Sequence, residues 1–352
     1  MEKAIIVTNG LLAKDEAKTA HGLIRESNRY EIAGIVDQLH AGKDAGEVLD
    51  GKCRNIPVFK TVQEAMQVHP SVCIVGVATV GGVFPGDLIE QVKTAIQYKL
   101  SIVNGLHDHL SARADIKKLA DENGVALIDI RLPKKRQDLH FWTGNIFTIA
   151  TPIIAVMGTD CALGKRTTAR FIMNECNTAG IHTEMIYTGQ TGWLQGGKYG
   201  FIFDSTLNDF VSGELEHAIL SCYEATQPDC ILIEGQSALR NPSGPCGSEM
   251  LVSGNAKSVV LVHAPRRTYY EHDPAWGAIH SIESEIALIR HFGSAVISVA
   301  LNTEHCSDDE AYAFQAAYEK QLGVPVMLPL QEGCGKIIPV IQQLIALKKQ
   351  PV

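Results

Sequence analysis

No pair of cysteines in this chain has the C-x-x-C spacing, although nine cysteines are scattered along it. An odd, unpatterned set suits a reducing compartment, with each thiol read as a small buried hydrophobe. No apolar run reaches the ~18 residues of a membrane span, and the first residues show no signal-peptide pattern, so a cytoplasmic location is expected. Positive charge is in deficit: 31 Lys and Arg stand against 39 Asp and Glu, a net charge of −8. That balance argues against a broad surface for nucleic acid or anionic membrane, and neither is expected as a partner. Internal repeats and low-complexity segments are missing. His107-Asp108-His109 has no accompanying ligand cluster in the sequence, so no metal site is expected.

The 352 residues, 45% apolar and 20% charged, describe a soluble globular chain of about two domains. Its most informative stretch is Gly158-Thr159-Asp160-Cys161-Ala162-Leu163-Gly164-Lys165-Arg166-Thr167-Thr168. It follows the apolar run Ile153 to Met157 and leads into a helical pattern from Thr167 to Thr178. A glycine-rich turn between strand and helix offers backbone N–H groups at a helix N-terminus, a ready site for phosphate. Lys165 adds a mobile positive charge. The standard pattern has four residues before Gly-Lys and a Ser or Thr after it. Here five intervene, and Arg166 occupies the place of the magnesium-binding hydroxyl, leaving Thr167 or Thr168 to recover that contact. Cys161, beside Lys165 and Arg166, is expected to favour its thiolate.

Strand-like runs alternate with helical patterns on both sides of residue 150, which implies α/β architecture with two doubly wound parallel sheets. The expected division is a Rossmann-like domain over residues 1–130, a linker over 131–151 and a P-loop NTPase-like domain over 152–352. In the first domain the turn Thr8 to Leu12 lacks the G-x-G-x-x-G that carries a pyrophosphate, although Asp37 ends the second strand where a ribose-binding acid would stand. In the linker, Pro133-Lys134-Lys135-Arg136 and Phe141-Trp142 read as a solvated segment docked by its aromatics, or as a basic cluster facing an anionic ligand.

Open α/β sheets bind ligands at the C-terminal ends of their strands. Glu234 follows a buried strand there, able to act as a base or to hold magnesium through water. Arg240 offers a bidentate clamp for a substrate carboxylate. Gln190, in Thr188-Gly189-Gln190-Thr191-Gly192, and Asp204 are further substrate-binding candidates, with Asp209 beside them. His263 ends another strand. Glu234, Lys165 and His263 are the candidate catalytic residues.

Gly158-Thr159-Asp160 followed by Gly164-Lys165, with Glu234-Gly235 on a later strand, resembles dethiobiotin synthetase, apart from Arg166. The whole chain is more similar to a bacterial family long catalogued as a domain of unknown function. That family joins a Rossmann-like half to a dethiobiotin-synthetase-like half with the loop G-T-D-C-A-x-G-K-R-T-T, matched throughout by residues 158 to 168. Members are described as D-glutamate N-acetyltransferases, so the resemblance implies acetyl transfer from acetyl-CoA to the amine of a D-amino acid during its catabolism. Acetyl transfer needs a base, an oxyanion donor and a cation for substrate carboxylates; Glu234 is the expected base with His263 behind it, Lys165, Arg166 and the loop amides are expected on phosphates, and Arg240 on the glutamate carboxylates. The competing readings are an ATP- and magnesium-dependent ligase or kinase, and a nucleotide sensor without turnover. The apolar helix pattern from Ile337 to Leu347 suggests a homo-oligomer.

Overall fold

In the computed structural model, which describes residues 1–348, the chain forms two compact units. Unit 1 comprises Met1–Pro133 with Gln190–Gly197, and unit 2 comprises Lys134–Gly189 with Lys198–Val352. The last four residues of the span 152–352, residues 349–352, lie outside the described residues.

Unit 1 contains β1 (Glu2–Val7), β2 (Tyr30–Val36), β3 (Val58–Phe59), β4 (Val72–Val75), β5 (Ser101–Asn104) and β6 (Leu127–Asp129). Its helices are α1 (Lys18–Arg25), α2 (Ala45–Asp50), α3 (Val62–Ala65), α4 (Gly86–Gln97) and α5 (Ala114–Asn123). The strands pair in parallel in the order β3-β2-β1-β4-β5-β6, the doubly wound arrangement of a Rossmann-like sheet. Burial on both faces explains the unbroken apolar runs. Ala4 and Ile6 enter one core cluster and Ile5 and Val7 the other, because successive strand residues point to opposite faces.

Asp37 ends β2 as the sequence suggests, yet it holds the first turn of the protein itself. Its buried carboxylate accepts from Thr8 Oγ1 at 2.7 Å and Leu12 N–H at 3.0 Å, and from Leu39 N–H and His40 Nδ1 at 3.1 and 2.8 Å. Burial opposes ionisation, but hydrogen bonds from Thr8, His40 and Leu12 outweigh it and keep this carboxyl below the ordinary aspartate range. The turn that would cradle a pyrophosphate is closed on an internal anion.

Unit 2 contains β7 (Ile153–Gly158), β8 (Thr183–Tyr187), β9 (Tyr199–Gly200), β10 (Cys230–Glu234), β11 (Ser258–His263), β12 (Ala295–Leu301) and β13 (Val326–Met327). The helices after β7 are α6 (Lys165–Thr178), α7 (Gln190–Leu194), α8 (Asn208–Thr226), α9 (Ser248–Val252), α10 (Ile282–His291), α11 (Asp308–Leu322) and α12 (Ile338–Lys348), all but α7 in unit 2. The all-parallel order is β13-β12-β11-β7-β10-β8-β9. β7 is fully buried between β10 and β11, at the point where the chain switches sides of the sheet. Its C-terminal end is therefore the crevice of this unit. α7 groups with unit 1, where Gln195 Nε2 donates to Gly22 O at 2.8 Å and Arg29 stacks over Trp193 at 4.0 Å.

From Lys134 onward the segment expected as a linker is fixed to unit 2. Two buried glutamates of α8 hold it. Glu214 accepts from Lys134 Nζ at 2.6 Å and from His140 N–H and Nδ1 at 2.8 Å. Glu216 accepts from Ile146 N–H at 3.0 Å and from Thr143 Oγ1 at 3.0 Å. Lys134 is thus committed to Glu214, and Trp142 Nε1 donates to Ser253 O at 3.2 Å. The segment crosses α8 at Gly213, where a Cβ would fall 2.1 Å from His140 O and 2.6 Å from Phe141 C. Both obstacles are backbone. Gly213→Ala is therefore expected to destabilise unit 2 by roughly 2–3 kcal/mol despite alanine's better helix propensity, read as a lower midpoint in urea denaturation. A neutral or stabilised variant would contradict the close approach.

Candidate functional site

The loop after β7 is built to leave backbone donors at its mouth. Gly164, at φ 89°, is the N-cap of the 14-residue α6, and no side chain caps that terminus. Ala162 is left-handed at φ 51°, the conformation in which this longer loop accommodates its five intervening residues. Alternation of left- and right-handed backbone turns N–H groups into a concave anion-binding nest, reinforced by the helix dipole.

Lys165 lies along glycine. A Cβ at Gly158 would meet Lys165 Cδ at 3.1 Å, and one at Gly235 would meet it at 3.1 Å and Val156 O at 2.2 Å. Its Nζ donates to Asp160 O at 2.6 Å, so the ammonium folds back over the loop. Gly235 follows Glu234, which pairs in register with Val156 beside the loop. Glu234 is 4% exposed, and its Oε2 accepts from Thr188 N–H at 3.1 Å. Burial pushes its carboxyl above the usual range, against the opposing pull of Arg166, the Thr188 and Gly189 amides and Lys165. Arg166 therefore balances Glu234 electrostatically, alongside the phosphate contact that the sequence suggests for it. Thr168 is buried in the first turn and Thr167 is half-buried.

A second layer holds the loop. The fully buried carboxylate of Asp160 accepts from Asn241 Nδ2 at 2.9 Å, Arg267 Nη1 at 3.0 Å and Glu271 N–H at 2.8 Å. The Asp160 side chain is thus a structural anchor of the loop. Arg267 also donates to Cys161 O at 2.7 Å and grips Glu304 through two bonds of 2.6 and 2.7 Å. Asn302 Nδ2 donates to Leu163 O at 3.2 Å. Sequence reasoning missed Asn241, Arg267, Glu271, Asn302 and Glu304. Their signal was position: each follows a strand that ends at the crevice.

His263 closes the back of the site. Its Nδ1 meets Thr159 Oγ1 at 3.0 Å and its Nε2 meets Tyr318 OH at 3.3 Å. Burial lowers its pKa from 6.5 to about 4, so the ring is neutral at neutral pH with both nitrogens engaged. It orients Thr159. Because the folded value lies below the unfolded one, the unfolded chain binds more protons between pH 6.5 and 4. This contribution is complete above pH 6.5 and is lost as pH falls through that window, about 3 kcal/mol in all. His263→Gln is expected to flatten the stability profile between pH 6.5 and 4, checked by urea denaturation across that range.

The other expectations sort by distance from the loop. The Cys161 thiol is pushed up by burial, which outweighs the opposing pull of Lys165, so the expected thiolate is not favoured. Its Sγ lies 3.3 Å from Ser237 Oγ. Arg240 is spent on α10: Nε and Nη2 reach Glu285 Oε2 at 2.8 and 2.6 Å, and Nη1 donates to Ser284 Oγ at 2.9 Å. It is an internal ion pair in place of the expected carboxylate clamp. Gln190 belongs to unit 1, where a Cβ on Gly105 would meet its Cγ at 3.0 Å. Asp204 is exposed in a short turn whose Phe203 N–H bonds Thr188 O at 2.9 Å, and Asp209 is exposed in the first turn of α8. Asp108 is held by Arg113 Nη2 at 2.6 Å, and among the described residues no group of three or more His, Cys, Asp or Glu could hold a metal ion.

A P-loop after the central strand of one parallel sheet, in a chain that also carries a Rossmann-like sheet, defines a two-unit α/β P-loop protein. Residues 140–338 match the domain of unknown function DUF1611_C, a P-loop domain, and residues 38–133 match DUF1611_N, a Rossmann-like domain. The chain belongs to the DUF1611 family. The crystal structure of a DUF1611 family protein from Anabaena variabilis ATCC 29413 superposes with a TM-score of 0.89 at 27% identity, covering 97% of this chain and all of that one. Two curated relatives carry the name D-glutamate N-acetyltransferase. The one from Tritonibacter scottomollicae is 27% identical over 284 residues, and the one from a Pseudoalteromonas species 28% over 289. Each alignment covers 79% of this chain and 83% of the relative.

Proposed function

We propose that this protein transfers acetyl from acetyl-CoA to the amino group of an amino acid, with D-glutamate as the acceptor. The observation that carries the reading is the pair of relatives of that name, aligned across most of both chains. The site is compatible with it. Coenzyme A carries a pyrophosphate and a 3′-phosphate, which suit an uncapped helix N-terminus flanked by Lys165. Arg166 stands where an NTP-hydrolysing loop has its magnesium hydroxyl, and a ligand that is bound without being hydrolysed does not need that hydroxyl. When bound, the thioester supplies an activated acetyl carbon; the chain supplies phosphate contacts through the loop amides and Lys165. The occupied loop would also neutralise the two adjacent cations at the start of α6, which oppose its dipole.

The test is thiol release from acetyl-CoA, in the absence of ATP and magnesium, with D-glutamate, L-glutamate or no acceptor. Release that requires an amino acid supports the proposal, and the ratio between enantiomers reports the hand that is read. No release, followed by phosphate release once ATP and magnesium are supplied with an amino or carboxylic acid, would replace it with the ligase reading.

A further inference from the structure

Acyl transfer to an amine requires a base that can reach the ammonium group, and both bases suggested by the sequence are enclosed. Glu234 is 4% exposed and bonded to Thr188 N–H. His263 is 8% exposed, with each ring nitrogen against a hydroxyl. A different histidine stands in the open on the same network. The segment after β11 runs from Arg267, which grips Asp160, to Glu271, whose N–H binds the same carboxylate at 2.8 Å. The next residue is His272, whose side chain is 44% exposed and whose Nε2 lies 3.6 Å from Glu304 Oε1.

Glu304 is well placed to support it. Both its carboxylate oxygens are fixed by Arg267, which is itself tied to Asp160 and the Cys161 carbonyl of the phosphate loop. The imidazole is therefore positioned by three consecutive links to the loop. The remaining titratable neighbours are His305, whose ring meets it edge-on at 6.1 Å, and Glu271 and Asp273 on its own segment. The backbone is strained here: Glu271, His272 and His305 are left-handed at φ 49°, 64° and 59°, without a glycine among them. Such strain gathers where side chains are aimed for function.

We propose that His272 is the proton acceptor for the substrate ammonium group, with the Glu304 carboxylate stabilising the imidazolium that forms. The assignment rests on the acyl-transfer reading. His272 Nδ1, the ring nitrogen that does not face Glu304, takes one ammonium proton; the freed lone pair forms the C–N bond to the acetyl carbon as the C–S bond breaks. The second proton leaves nitrogen for sulfur, giving the free thiol, and His272 returns its own proton to water. A neutral imidazole backed by a carboxylate is suited to this task.

The discriminating variant is His272→Asn, because asparagine tolerates the left-handed backbone and removes only the base. Expected is a fall in kcat of at least about 100-fold near neutral pH, with KM and the melting temperature close to those of the parent. The deficit should shrink as pH rises and the amine arrives already neutral. His305→Asn serves as the control and should retain most of the rate. A readout free of acetyl-CoA accompanies it. In protein labelled with 15N-histidine, the imidazole signal missing from His272→Asn should move when D-glutamate alone is added. If His272→Asn keeps the parental kcat and pH profile, this inference falls and acyl transfer stands. A loss of kcat with an unmoved imidazole signal would make His272 a support for the loop and overturn its assignment as acceptor. If the parent protein itself releases no thiol, both readings fall together.

Discussion

Replacing Asp160 with alanine is expected to lower the stability of unit 2 by about 3–5 kcal/mol, the cost of leaving a buried charge without its partner. The side chain is fully buried and receives three donors, from Asn241, Arg267 and the Glu271 backbone. Alanine would remove the acceptor and leave all three inside. Arg267 would keep Glu304 but lose half of its counter-charge, and its side chain is only 2% exposed. The loss should appear as a large drop in the urea midpoint. Because the same carboxylate ties the segment Ala264 to His272 to the loop, phosphate-ligand binding should weaken too. A loss below about 1 kcal/mol would show that water or a rearranged Glu304 substitutes for Asp160.

Lys165→Met is expected to separate binding from folding. Methionine roughly conserves the volume packed between Gly158 and Gly235, so the stability change should stay under about 1.5 kcal/mol. Coenzyme A binding should weaken on the order of 100-fold, corresponding to about 1.5–3 kcal/mol for a lost charge-assisted contact. Glu234 would also lose one of the two cations that hold its carboxyl down, so burial would raise it further. Titration calorimetry with coenzyme A and a urea melt read the two effects independently. Equal affinity in parent and variant would remove Lys165 from the phosphate site; a collapsed melt would make it a structural residue.

The parallel α/β architecture was legible because its signals are local. β10, β11 and β12 are apolar runs, and α10 and α11 carry acidic first turns with basic last turns, so each shows within a short window. β3 and β9 were not legible: at two residues each they show no alternation, and they form only because a neighbouring strand edge pairs with them. α1 carries a mid-helix Gly22, which breaks the helical signal although its apolar face is buried. The helical pattern in the sequence covers Gly213 to Thr226, but α8 begins at Asn208, since Val211 is buried and extends the packed face by a turn.

The site divides along the same physical line. Strand, glycine turn, lysine and helix follow one another without interruption from Ile153 to Thr178, so the phosphate loop could be read from its own spacing. The uses of the surrounding charges could not. Arg267 meets Asp160 across 107 residues of sequence, Arg240 meets Glu285 across 45, and Asp37 closes on Thr8 across 29. A charged side chain looks the same in a sequence whether it awaits a ligand or neutralises a distant partner. Only burial decides, because an ionised group removed from water requires an internal counter-charge or donor, and the fold alone brings one within reach. Composition and local pattern thus determine the sheets and the loop. The tertiary structure assigns Asp37, Asp160 and Arg240 to the scaffold, places Gln190 with unit 1, and leaves His272 exposed beside Glu304.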